Sequence, residues 1–227
     1  MDRFSVESIP QAEGREYIIN RHYTAGCAVG SMMWGLYDNV DQLRGVIAFH
    51  TPISENVRKA VFDGEKDQCW CSHIDEEHGF HQHVTELHRL ATDEFLPSET
   101  TSWFVSQSLD KLKKYKPKYW AVLSHADSTE GHLGTIYQAC NATYTGTTDS
   151  SKKFYRKSDG TLKPPRNGIE GNISPEEARE RGWEVEERGH KHRYIFFLPD
   201  GRRHKRWIEN HLKYEEKEYP QMAVASD

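Results

Sequence analysis

Long apolar runs are missing from this chain. Of its 227 residues 36% are hydrophobic and 29% charged, and no stretch approaches the ~20 apolar residues that a bilayer crossing needs. Met1-Asp2-Arg3-Phe4 opens no signal peptide, so the expected setting is the cytoplasm, with no membrane partner. Cysteine is scarce as well. Cys27, Cys69, Cys71 and Cys140 are too few and too scattered for a disulfide framework and point to reduced thiols. Overall positive charge is also lacking: a net charge of -5 argues weakly against a nucleic-acid partner, although local fields count for more than the sum. Internal repeats are absent, and the length suits one good core with a small C-terminal extension.

Locally the charge is uneven. From Arg188 to Arg206 seven cations (Arg188, Lys191, Arg193, Arg202, Arg203, Lys205, Arg206) face one acid, Asp200, and this cluster is expected to contact phosphate. A second group, Lys111, Lys113, Lys114, Lys116 and Lys118, reads mostly as a solvated helix end.

The periodicities predict a helix over Gln11 to Arg21 and a hairpin of Ser31 to Tyr37 with Leu43 to Thr51. A brief helix at Asn56 to Phe62 and a strand at Val84 to Leu90 follow. Ser98 is placed to cap a helix with an apolar stripe of Phe104, Val105, Leu109 and Leu112, stopped before Pro117. Residues 151–171, with Pro164-Pro165 and several glycines, read as a flexible loop or linker between a core at 1–150 and a C-terminal part at 172–227. In that last part Ser174-Pro175-Glu176-Glu177 is a capping box, His190 to Leu198 a strand, and Arg202 to Tyr214 a basic helix. Strands alternating with helices over short connections imply an α/β fold of three layers around a central mixed sheet.

The stretch from Tyr119 to Thr148 carries the most chemistry. Tyr119 to Asp127 is an apolar strand that turns polar at its end. In Gly131 to Cys140 the residues Leu133, Ile136, Tyr137 and Cys140 recur at helical spacing, so Tyr137 is expected to look inward. Asn141 can end that helix, and Ala142 to Thr148 reads as the next strand.

Several motifs in this order resemble a known family: Glu86-Leu-His-Arg89-Leu, Leu96-Pro97 with Thr101-Ser102-Trp103-Phe104, Ser124-His-Ala-Asp127 with Gly131-His-Leu-Gly-Thr-Ile-Tyr137, and Lys191-His-Arg-Tyr-Ile-Phe-Phe-Leu198. Together, from about Arg21 to Tyr219, they resemble the Mom family of phage DNA adenine modification proteins. Their core is similar to the GNAT acyltransferase fold, so a GNAT-like three-layer fold with a basic C-terminal extension is implied. The resemblance implies transfer of a carbamoylmethyl-type group to the exocyclic N6 amine of adenine in double-stranded phage DNA, protecting it from restriction in the host cytoplasm. The alternatives are an N-acetyltransferase acting on a protein or small-molecule amine, and a non-catalytic DNA-binding anti-restriction protein.

By resemblance the active centre carries over to Arg89, Ser102, Asp127 and Tyr137, with His22 and Tyr23 added from an Arg-His-Tyr motif. Tyr137 would protonate a leaving thiolate or be a core tyrosine. Arg89 would meet a donor phosphate or a carboxylate such as Asp127. Asp127 would orient or deprotonate the adenine amine, or cap the turn towards Gly131, and Ser102 would bind the donor or be a plain helix serine. Lys191, Arg193, Arg202 and Arg203 would contact DNA phosphates, and Tyr23 and Trp34 are candidate stacking partners for an extruded base, although Trp34 reads first as core packing.

The fold implies acyl-CoA or acetyl-CoA as donor, its diphosphate at the helix start near Ser98. Ala91 to Thr101 nevertheless contains no glycine, so the usual Gly-rich diphosphate loop is absent. Iron is a further cofactor that the resemblance implies. Cys69-Trp-Cys71-Ser-His73 with His78, His81, His83 and His88 lacks the two-residue gap of common zinc sites, and reads first as a His-rich loop lining the cleft.

Overall fold

The computed structural model describes residues 3–23, 26–52, 54–63, 80–148, 152–163, 166–167 and 171–221. In chain order the elements are β1 (Phe4–Ser8), α1 (Gln11–Arg21), β2 (Met32–Asp38), β3 (Leu43–His50), α2 (Glu55–Lys59), β4 (Val84–Thr92), α3 (Thr100–Tyr115), β5 (Ala121–Asp127), α4 (Thr135–Ala139) and β6 (Thr143–Thr147). There follow β7 (Lys152–Arg156), β8 (Leu162–Lys163), β9 (Arg166–Asn167), β10 (Gly171–Asn172), α5 (Pro175–Glu180), β11 (Glu184–Arg188), β12 (Lys191–Phe197) and α6 (Arg202–Asn210). Short 3-10 turns at Phe80–His83 and Ser128–Glu130 lead into β4 and out of β5.

Seven strands make the central sheet in the order β1-β2-β3-β4-β5-β12-β6. The sheet is mixed: β4 and β5 run parallel, and every other neighbouring pair is antiparallel. Alternating side chains send the two faces of each strand into different layers. Val122, Tyr194 and Phe196 point to the side covered by α3, where Phe104, Val105, Leu109 and Leu112 are buried. Each such chain contributes about 1.5–3 kcal/mol on burial. Ala121, Leu123 and Ile195 point the other way, against Ile208 of α6, and α1 covers the same face through Tyr17 and Ile18. The outcome is the α/β arrangement of three layers around a central mixed sheet that the sequence leads one to expect.

One feature of this sheet shapes the site. β4 and β5 are paired only from Val84 with Ala121 to Leu87 with Ser124, yet β4 runs on to Thr92 and β5 to Asp127. Beyond Leu87 the two strands part. Just there β4 carries a bulge: Phe49 of β3 faces Leu87 and Ala48 faces Arg89, so His88 is the extra residue. Such a bulge re-aims the side chains that follow it.

Several expectations need correction. Ser98 does not cap α3: Glu99 holds the cap position and the Ser98 hydroxyl bonds its carboxylate instead. The helix carrying Tyr137 starts only at Thr135, after Gly134 in left-handed backbone, so Leu133 precedes it and Ile136 is exposed. Asn141 does end it, in left-handed backbone at φ 56°. The segment 151–171 contains β7, which pairs along its whole length with β11 and with β8 makes a second, three-stranded sheet. The basic helix ends at Asn210, short of Tyr214. The Ser174 cap holds, its hydroxyl accepting from the Glu177 amide at 3.1 Å.

Candidate active site

The gap between the parted strands is a cleft of about 780 Å³, lined from β4 (Glu86 to Thr92), from the end of β5 (His125 to Asp127), from the turn and α4 (Glu130 to Tyr137), and by Arg21, His22, Tyr23 and Lys191. It brings together six of the ten residues expected at the site: Tyr137, Asp127, Arg89, His22, Tyr23 and Lys191. The other four lie elsewhere. Ser102 faces away, its hydroxyl on the Glu99 carbonyl at 3.0 Å. Arg193 donates to the Thr145 hydroxyl and carbonyl at 3.0 Å each and covers the Tyr214 ring at 3.7 Å. Arg202 and Arg203 stand exposed on α6, beyond the opposite end of β12.

Tyr137 sits on α4 with its ring 5.5 Å from Tyr194 and 5.8 Å from Phe196. Burial raises its phenol above the ordinary range, with the Ser124 hydroxyl opposing. The phenol therefore stays protonated, as a proton donor must.

Asp127, at the end of β5, is buried with 2% exposure and is tied on every side. One oxygen accepts the Thr129 amide at 3.0 Å; the other lies 3.1 Å from Arg188 and 3.5 Å from Lys191. Burial works to raise its carboxyl, but Lys191, Arg188 and the Thr129 amide outweigh it and keep it below the usual carboxylate range. Asp127 thus both caps its turn and anchors cations. The expected pairing of Arg89 with Asp127 does not occur. The Arg89 guanidinium donates to the backbone carbonyls of Gly26 at 2.7 Å and His88 at 2.6 Å, and it makes no ion pair among the described residues. Burial lowers the Lys191 ammonium below the ordinary lysine range, against the pull of Asp127.

Two histidines of the cleft, His22 and His88, are neutral. Burial, reinforced by Arg89, lowers His22 to about 3 and His88 to about 4, and a buried imidazole beside cations has no reason to accept a proton. His22 stacks on Tyr23 at 4.4 Å, whose phenol is raised to about 12 by burial and by Asp127.

Sequence reasoning gave no role to Glu86, His125, Glu130 and His132. Glu86, in the paired part of β4, meets His125, one residue past the last pair of β5, at 3.3 Å. Burial works to raise the Glu86 carboxyl, but the bond from His125 outweighs it. The signal for His125 was its place two residues before Asp127, on the same face of a strand.

Trp34 is core, edge-on to Phe49 at 5.6 Å. Cys69, Cys71, His73 and His78 lie outside the described residues. His81 pairs with Glu55 at 3.6 Å and His83 stacks on Trp120 at 3.5 Å, both away from the cleft lining. Among the described residues no group of three His, Cys, Asp or Glu could hold a metal, so these residues do not fit iron. Nor, among the described residues, is any helix long and apolar enough to cross a membrane.

Comparison with known proteins gives one family: the Mom protein family matches residues 3–221. No curated protein matches. Among solved structures, an acetyltransferase from Bacillus subtilis in complex with CoA is 10% identical, with 86% of this chain and 98% of that chain covered and a TM-score of 0.45. The ribosomal-protein-S5-alanine acetyltransferase from Vibrio fischeri is 9% identical over 88% and 96%, at 0.46. The ribosomal-protein-S18-alanine N-acetyltransferase from Escherichia coli is 8% identical over 86% and 94%, also at 0.46.

Proposed function

Because this chain belongs to the Mom protein family over residues 3–221, we propose that it is a transferase that modifies DNA. It places a carbamoylmethyl-type group on the exocyclic N6 amine of adenine in duplex DNA and so protects that DNA from restriction. The observation that carries the reading is the convergence of Tyr137, Asp127, Arg89 and Lys191 on one cleft between parted strands.

The chemistry follows from these groups. The adenine amine is a poor nucleophile, so the donor must be activated and the leaving group helped. The N6 lone pair forms a bond to the donor carbon while the bond from that carbon to the leaving group breaks. Tyr137 gives its proton to the departing atom. The nitrogen, cationic after attack, is acidic enough for a carboxylate to take its proton, and Glu86, which does not carry the cation load of Asp127, is the residue we assign to that step. Arg89 and Lys191 stabilise negative charge on the donor as it develops.

A carbamoylmethyl group is joined to N6 through its methylene carbon, so the leaving group of its donor sits on that carbon; an acyl-CoA would instead bring an acyl group on a thiol and leave an amide on N6, the product of plain acyl transfer. Beyond Leu87 the β4 edge facing β5 is unpaired, and its backbone groups suit the amide-bearing arm of such a donor. Its diphosphate is less well served, because Glu94 and Glu99 stand exposed just before α3.

Tyr23 and His22, stacked at the cleft mouth, offer a platform for the extruded base, whose removal from the helix costs a few kcal/mol. Arg202 and Arg203 contact phosphates further along the duplex.

The test is direct. With the protein expressed in a bacterium, its DNA is digested and the nucleosides are weighed by mass spectrometry. A deoxyadenosine heavier by one carbamoylmethyl group is expected. Only unmodified deoxyadenosine, with soluble protein present, overturns the reading.

A further inference from the structure

Arg188 was expected at the surface, on a phosphate. Instead it is the largest fully buried side chain among the described residues, with 2% exposure. It stands at the end of β11, in the small sheet, and reaches the wall of the cleft. One of its terminal nitrogens meets Asp127 at 3.1 Å and Glu130 at 2.5 Å, and the other meets Glu186 at 3.1 Å. Its planar face lies 5.5 Å from the ring centre of Tyr23 and 5.7 Å from that of Phe154. Charge balances here: Asp127, Glu130 and Glu186 are matched by Arg188, by Lys191 at 3.5 Å from Asp127, and by Arg156 at 2.6 Å from Glu186. Backbone ties fix the same spot, since the Gly189 amide donates to the Thr129 hydroxyl at 2.8 Å and the Ser128 amide to the His190 carbonyl at 3.4 Å.

Three of the groups that this guanidinium touches, Asp127, Glu130 and Tyr23, line the cleft, while Arg188 itself does not. We propose that Arg188 is a positioning residue for the site: it holds Asp127 as a fixed anion that aims Lys191 into the cleft, and it holds Tyr23 at the cleft mouth. The small sheet β11-β7-β8 is thereby part of the catalytic apparatus, joined to it by one planar fork that a lysine cannot reproduce. The role in the reaction rests on the function proposed above; the hold on Asp127 does not.

Two measurements separate these. Arg188→Met removes the cation and leaves Asp127 with Lys191 and the Thr129 amide, and Glu130 and Tyr23 with no cation in direct contact. The titration of Asp127, followed by carboxyl carbon NMR, is expected to shift to higher pH in R188M. The pH profile of DNA modification is expected to move alkaline with it, and the rate near neutral pH to fall at least ten-fold. R188K is expected to restore the pH profile and recover only part of the rate. Should R188M fail to fold, R188K decides alone: a melting temperature near wild type with a rate several-fold down supports the role. Wild-type rate in R188K, or an Asp127 titration unmoved in R188M, overturns it. If the wild type leaves adenine unmodified, the function proposed above falls, and the NMR titration still decides the hold on Asp127.

Discussion

At the scale of single residues, the cleft separates two kinds of ionisable group. Tyr137 is kept protonated by burial and Asp127 is kept ionised by its cations. Tyr137→Phe removes only the proton donor and keeps the ring between Tyr194 and Phe196. Melting temperature and DNA binding should be preserved while the modification rate falls at least about ten-fold; full activity would move the proton role elsewhere.

The neutral histidines lead to a pH prediction with a definite sign. His22 and His88 titrate near 3 and 4 in the folded protein against 6.5 ordinarily, so between these values the unfolded chain binds more protons than the folded one. Stability from these groups is therefore full above about 6.5 and drains away as the pH falls towards 4. Thermal melts from pH 7 to pH 4 should show a falling midpoint, and the combined His22→Gln and His88→Gln variant a shallower fall. An equal slope in both proteins would contradict the account.

Residue identity was legible in the sequence where one strand or one motif sufficed. That Arg89, Asp127 and Tyr137 share one cleft was foreseen from the family resemblance, each standing in a short motif that carries it. Arg188 was misread because a cation in a run of cations looks free to meet phosphate, and nothing local says that Asp127 and Glu130, from the end of β5 and the turn after it, will join Glu186 of its own strand around it.

At the scale of elements, helices with caps and clear stripes were readable, and α1 matches its expected bounds of Gln11 to Arg21. The strands of the small sheet were not: Glu184 to Arg188 is mostly charged, and pairing with β7 rather than local pattern makes it a strand. The start of α4 illustrates a constraint that sequence pattern hid. Gly134 has φ 76°, and a Cβ there would strike the ring of Tyr194, which packs against Tyr137. Gly134→Ala combines backbone strain with overpacking. It should destabilise the fold by more than about 1 kcal/mol in denaturant unfolding and lower activity through Tyr137. Unchanged stability would mean that α4 can shift freely.

At the scale of the whole molecule, the cations of α6 and the cleft stand at opposite ends of β12. Lys191 faces Asp127 at the cleft and Phe197 faces Ala121 at the far end, so α6 begins roughly 20 Å away at about 3.3 Å per residue. On the proposed function, cations there would grip a duplex several base pairs from the target without touching the chemistry. Replacing Arg202 and Arg203 together by Glu should weaken DNA binding for all sequences alike and flatten its salt dependence, by about one unit of slope per lost phosphate contact. Turnover at saturating DNA should be unchanged. A change in turnover with unchanged salt slope would place the effect elsewhere.

The strand order carries a last implication, for biosynthesis. In the central sheet β6 has no neighbour except β12, which is made some forty residues later and slides between β5 and β6. Until Phe197 has left the ribosome, the backbone of β6 and the outer edge of β5 have no partners, and Tyr144 has no Tyr194 to pack against. A nascent chain halted near residue 150 is thus left with two sticky edges, a species that chaperones would shield, and the central sheet closes only when β12 arrives.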